Sequence, residues 1–132
     1  MPDTYRSAFA RYGRTDLPPC EHEVGGLIGT DPKTGTRVFV LAAFETQFAP
    51  DSGFRVVDDD LRKWGTWEKS EQGQQFAYDL TVARDEGLPV HVFLALKVGP
   101  RRHTFELLRD GARILVGKVT HWDGQRYRIE LE

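Results

Sequence analysis

The stretch Lys63-Trp64-Gly65-Thr66-Trp67-Glu68-Lys69-Ser70 sets two tryptophans three residues apart among charged and hydroxyl side chains. An indole offers a large flat face and one N–H donor. Such rings build pockets for planar or cationic groups, an unstacked nucleobase among them. They also fill the cores of small β-rich domains, and both readings stay open. Phe48 and Phe54 lie upstream, in a segment that gathers Asp51, Asp58, Asp59 and Asp60. A carboxylate such as Asp59 or Asp60 can accept from an exocyclic amine, as carboxylates do with cytosine N4. The acidic triplet equally suits a solvated loop. From Lys97 to Lys118, six Lys/Arg stand against Glu106 and Asp110, a local excess of four positive charges. A basic hairpin beside an aromatic pocket would clamp phosphates, whereas a mixed solvated surface accounts for the same charges.

Other chemistries find less support. Cys20 and His22 are two apart, but His91, His103 and His121 sit singly on expected strands, so no metal-ligand set forms locally. Neither Cys20 nor Ser70 lies in a strand–turn–helix elbow. The only D-x-K triplet, Asp31-Pro32-Lys33, lies in a turn, where a carboxylate-plus-lysine nuclease would need it on a strand. Gly25-Gly26-x-x-Gly29 is too short for a phosphate-binding loop and precedes no helix. No catalytic residue, bound metal or cofactor is expected, and an enzyme would have to assemble its site from distant residues.

The elements that must carry these residues follow from periodicity and turn chemistry. Tyr5, Ala8, Phe9 and Tyr12 form one apolar stripe, which predicts a helix over residues 3–12 with Asp3 as cap and Gly13 beyond its end. Residues 23–29 and 37–44 read as a hairpin around the turn formers 30–36. The second of these strands, RVFVLAAF, has the apolar run of a strand buried on both faces. Gly25 and Gly26 suggest a bulge or a close backbone approach. Residues 45–63 look irregular, pinned by Phe44, Phe48 and Phe54, with a short strand at 54–57. A second helix spans 73–86, with Phe76, Leu80 and Ala83 on one face and Gly87 as its stop. Strands at 88–98, 103–108, 113–122 and 125–131 follow, with hairpin signals at Asp110-Gly111 and Asp123-Gly124.

The expected fold is α+β, mainly β. It would be a small curled antiparallel sheet or barrel of six to seven strands with two helices, in one domain over 1–132, its body at 23–132. The chain has 132 residues, fifteen aromatics and a formal net charge of −2, which suits a single folded domain and argues against a generic nucleic-acid coat. No apolar run approaches the ~20 residues of a membrane span, and MPDTYRSAF carries no signal-peptide core. A cytoplasmic protein without membrane contact is expected.

A spaced pattern adds a resemblance. Phe44-Glu45-x-x-Phe48-Ala49-Pro50-x-x-x-Phe54, then Trp67, Gly73-x-x-Phe76, Val90-His91-Val92-Phe93-Leu94 and a closing hairpin resembles the PUA-like and SRA-like β-barrel readers. These are appended to modification-dependent restriction nucleases and restriction-type helicases. Thr104-Phe105-Glu106-Leu107-Leu108 stands near the family's "tFxyL" element, and the likeness covers roughly residues 24–131. Where the family pattern has His-Trp-Gln-Ser-Gln, this chain has Thr66-Trp67-Glu68-Lys69-Ser70, without the neutral polar readers. The resemblance implies a barrel that binds nucleic acid, DNA before RNA, and takes a modified or unstacked base into an aromatic pocket.

The expected base pocket comprises Trp64, Trp67, Phe48, Phe54, Asp59, Asp60 and Ser70, and the expected phosphate ligands are Lys69, Arg101, Arg102 and Lys118. The alternative is a small interaction or regulatory barrel that uses Phe48, Phe54 and Tyr5 to dock a protein partner or a second copy of itself. The oligomeric state stays open, a homodimer included.

Overall fold

After its first residue, the strand segment RVFVLAAF has no polar position, so it needs apolar cover on both faces. The computed structural model, which describes residues 4–15, 25–64, 70–100 and 102–132, meets that need with helices on opposite faces of one sheet. The helices are α1 (Tyr5–Ala10) and α2 (Glu71–Glu86). The strands are β1 (Gly26–Thr30), β2 (Arg37–Phe44), β3 (Val56–Asp60), β4 (Val90–Gly99), β5 (Arg102–Leu107), β6 (Arg109–Asp110), β7 (Arg113–Ile114), β8 (Val116–Trp122) and β9 (Arg126–Leu131). Two 3-10 turns, Glu45–Gln47 and Leu61–Trp64, flank the β3 region. The class is α+β, mainly β.

The main sheet runs β1-β2-β4-β8-β9-β3, with β5 also on β4. It is mixed and open, which departs from the antiparallel sheet and the closed barrel expected above. Strands β2 and β4 are parallel, Phe39 opposite Val90 through Phe44 opposite Ala95. A parallel pair needs a long crossover, and residues 45–89 supply one that contains α2. Along its other edge β4 pairs first with β8 at Val90 and His91, then with β5 from Phe93 onward. The sheet forks between them.

Side-chain alternation sorts β2 and β4 between two cores. Phe39, Leu41 and Ala43 join Val90, Val92 and Leu94 against Phe76, Leu80 and Ala83 of α2. Val38, Val40 and Ala42 join Phe93 and Ala95 against Ala8, Phe9 and Tyr12. In β9, Tyr127, Ile129 and Leu131 point inward while the alternate residues meet solvent or lie half-buried, as its polar–apolar alternation predicts.

Helix ends follow local chemistry. Thr4, rather than Asp3, caps α1: its hydroxyl accepts from the Ser7 N–H, and Ser7 Oγ accepts from the Thr4 N–H. At the other end Gly13 adopts a φ of 78°, and the Arg14 and Gly13 N–H groups donate to the Phe9 and Ala10 carbonyls. The chain then closes on β1, where the Thr30 N–H donates to the Tyr12 carbonyl at 2.9 Å. A Cβ on Gly29 would fall 2.7 Å from that carbonyl oxygen, so the close backbone approach occurs at Gly29. At Gly26 the crowding comes chiefly from the Phe39 ring. Helix α2 starts at Ser70, whose Oγ accepts from the Gly73 N–H at 2.9 Å, and stops at Gly87, with a φ of 62°.

One polar contact fastens α1 to the sheet. Tyr12 Oη lies 2.7 Å from Nδ1 of buried His91, whose Nε2 is 4.0 Å from Asp31 Oδ2. Burial depresses the His91 pKa below 6.5, with Asp31 opposing in part. A neutral imidazole is therefore favoured in the fold, and its contribution to stability is complete above pH 6.5 and lost as pH falls below that value. We expect the urea midpoint to fall between about pH 7 and about pH 5, and His91→Gln to flatten that dependence. Tyr12→Phe leaves Nδ1 unpaired and costs about 1–3 kcal/mol at pH 7.5, read from the same urea curves.

Candidate functional site

Parallel pairing sends the carboxyl ends of β2 and β4 to the same end of the sheet. Open sheets with parallel strands bind ligands outside such carboxyl ends. After β2 comes the 3-10 turn Glu45–Gln47 and the loop to Arg55; after β4 comes the tip that returns through Arg102. The 3-10 turn touches both β3 and β4. The His103 ring packs on Phe44 at 5.2 Å, joining the tip to the last residue of β2.

The loop encloses an open hollow of about 270 Å³ lined by Glu45, Phe48, Ala49, Pro50, Asp51, Ser52, Gly53 and Phe54. Phe48 is buried and Phe54 is 40% exposed; their rings meet edge to face at 5.2 Å and 86°. Asp51 and Phe54 hold φ values of 61° and 60°, an uncommon conformation for residues with a Cβ and a costly one for a bulky ring. Turn bonds force it: the Ser52 N–H donates to the Ala49 carbonyl, Arg55 to Ser52, and Ala49 to Val56. Ser52 Oγ is buried without a hydrogen-bond partner. The carboxylates of Glu45 and Asp51 are exposed and make no ion pair among the described residues.

The hollow is held from beneath by a buried polar group. Gln47 donates through Nε2 to Asp59 Oδ2 at 2.9 Å and to Tyr127 Oη at 3.3 Å, and its Oε1 accepts from the Phe44 N–H. Lys63 Nζ is 3.6 Å from Asp59 Oδ1. Burial, with the nearby charges of Asp59 and Asp58, raises the Tyr127 pKa and keeps the phenol neutral.

The acidic triplet lies on β3 and is fully engaged. Asp59 points inward to Gln47, while Asp58 pairs with Arg126 and Arg128 at 3.1 Å each. Asp60 binds Arg62, and those hydrogen bonds depress its pKa to about 2. Asp59 and Asp60 are thus occupied by partners of their own. Ser70 Oγ is likewise occupied as the cap of α2. Of the expected pocket, Phe48 and Phe54 come together at the hollow. Trp67, Lys69, Arg101 and the Trp64 side chain lie outside the described residues.

The expected phosphate ligands divide. Arg102 is exposed at the carboxyl end of β4, opposite Gly99. Lys118 sits next to Gly117, which pairs with Val90 at the amino end of β4, and its amine donates to the Gly87 carbonyl. Ten strand residues separate the two ends, roughly 30 Å at a strand's rise. Lys97, opposite His103, instead joins Arg102, and neither cation has an ion-pair partner among the described residues.

In the sequence, Lys97 counts only within the basic excess of residues 97–118, and no role falls to Glu45, Gln47 or Ser52. The signal for Glu45, Gln47 and Ser52 is position: each lies just beyond an apolar strand or between Phe48 and Phe54, inside turn-forming sequence. Gln47→Leu should remove one of the partners of buried Asp59 and cost about 2–4 kcal/mol by urea unfolding. Adding Asp59→Asn should restore part of that loss, because the buried charge is then gone. Comparison with protein families, with curated proteins and with solved structures finds no match to this chain.

Proposed function

We propose that this protein is a nucleic-acid reader that holds phosphates at the β4–β5 tip and takes an unstacked base into the Phe48–Phe54 hollow. What supports the reading is the course of the chain: Lys97 and Arg102, without ion-pair partners among the described residues, lie on the tip at the carboxyl end of β4, and the loop that carries the partly exposed aromatic wall leaves the carboxyl end of neighbouring β2. Phosphate contacts position a ligand without reading sequence, and stacking on an aromatic face tolerates any base. A base must leave its duplex to reach such a wall, at a cost of a few kcal/mol that stacking and edge hydrogen bonds offset. DNA with an unpaired or modified base is the favoured ligand, and a role beside restriction-type enzymes follows from the same reading. The pocket differs from the one first expected, since Glu45 and Asp51 replace the engaged Asp59 and Asp60 at its rim.

The test is fluorescence anisotropy with labelled single-stranded DNA, a matched duplex and a duplex carrying one mismatch, at ~0.1 M salt and below. The single strand and the mismatched duplex should bind more tightly than the matched one. Arg102→Ala should weaken all three and reduce the salt slope by about one. Phe54→Ala should erase the advantage of the unpaired base while leaving residual salt-dependent binding. Failure of every nucleic acid to bind at low salt would overturn the reading in favour of a protein-docking role for the same exposed ring.

A further inference from the structure

We infer that the hollow discriminates among bases by accepting hydrogen bonds, and that guanine is the base it takes; this rests on the nucleic-acid reading above. The polar side chains among its eight lining residues are two carboxylates and one hydroxyl: Glu45, Asp51 and Ser52. Among the described residues, no lysine, arginine, histidine, asparagine or glutamine lines it. Some backbone donors are spent, while those of Asp51, Gly53 and Phe54 have no backbone acceptor among the described residues. The N–H groups of Phe48, Ala49 and Ser52 already donate to the Glu45, Val56 and Ala49 carbonyls, and Pro50 has none. Neither carboxylate has a partner among the described residues, so their hydrogen-bonding capacity is unspent.

Two charged acceptors on the rim, Glu45 and Asp51, favour the base whose edge is richest in donors. On its Watson–Crick edge guanine presents N1–H and one N2–H side by side, two parallel donors that match the two oxygens of one carboxylate. Adenine and cytosine each set one amine beside a ring-nitrogen acceptor, and thymine flanks its single N–H with two carbonyl oxygens. Any of these turns a lone pair toward the carboxylate, so one hydrogen bond is gained against one repulsion. The second carboxylate adds to this selection, because both rim charges disfavour an acceptor edge.

The probes are single-stranded DNA pentamers of thymine with one central guanine, hypoxanthine, adenine, cytosine or thymine, measured by anisotropy with the full chain. Guanine should bind about tenfold more tightly than the others. Hypoxanthine, which keeps N1–H but lacks the N2 amine, should lose most of that advantage. The pair Glu45→Gln with Asp51→Asn should level the five affinities near that of the all-thymine strand, with the circular-dichroism melt unchanged. Arg102→Ala should lower all five alike and preserve their ranking.

Equal affinities in the unaltered protein, still lowered by Arg102→Ala, would overturn the guanine inference and leave the reader proposal standing. A guanine preference that survives the double substitution would overturn the assignment to these carboxylates. Absence of binding by all five would overturn both.

Discussion

The parallel pairing of β2 with β4 is the constraint on which the remaining architecture depends. Both strands place apolar side chains on both faces, and each face must be covered. Phe39, Leu41, Val90 and Val92 require α2; Val38, Val40 and Phe93 require the α1 segment. Each such side chain, fully buried, contributes about 1.5–3 kcal/mol, so neither helix is dispensable cover. The pairing also fixes the route of the chain. To enter β4 parallel to β2, the chain must leave one end of the sheet and return to the other. The hollow-forming loop therefore begins at the carboxyl end, and α2 runs back along the face.

Polar contacts then set where each cover sits, a matter that apolar packing alone leaves loose. Tyr12 and His91 locate the α1 segment. Asp79 of α2 accepts from the Ile28 N–H on β1 and from Gln75, and thereby reaches the sheet's β1 side. On the opposite side Trp122 donates to Thr81, and Arg84 donates to the Trp122 carbonyl. The Gln47–Asp59–Tyr127 group does the same for the 3-10 turn beneath the hollow. Buried polar groups of this kind bring little net stability, but displacing them costs the desolvation of every unpaired member.

Elements set by local chemistry were legible in the sequence. The apolar stripe of Tyr5, Ala8, Phe9 and Tyr12, the Gly87 stop and the two Asp-Gly hairpins all lie in short windows whose physics is local. Strand pairing was less legible, because nothing within RVFVLAAF or VHVFLALKV says that the partner runs parallel. The acidic triplet misled for a related reason. Aspartate disfavours strands in general, yet Asp58, Asp59 and Asp60 extend β3 because β9 supplies Arg126 and Arg128 across the ladder. Phe48 and Phe54 were identifiable as a pair from their spacing around Pro50 and Gly53. Their rim of Glu45, Asp51 and Ser52 was not, since loop polarity has no period to mark it.

Charge counted along the chain fails in the same way as pairing. Among the described residues of the 97–118 excess, Lys97 and Arg102 stand at one end of β4 and Lys118 at the other, so the excess is divided. The triplet's negative charge is likewise absorbed locally by Arg62, Lys63, Arg126 and Arg128. What remains are two small sets of charges without ion-pair partners among the described residues: Lys97 and Arg102 on the tip, Glu45 and Asp51 on the hollow. A ligand satisfied by both must carry negative charge at one part and hydrogen-bond donors at another. Two cations release few counterions, so binding there draws little from phosphates and depends weakly on salt. The net charge of −2 is thus compatible with the proposed reader, in which one base edge meets the two oxygens of one carboxylate and the second carboxylate reinforces the choice.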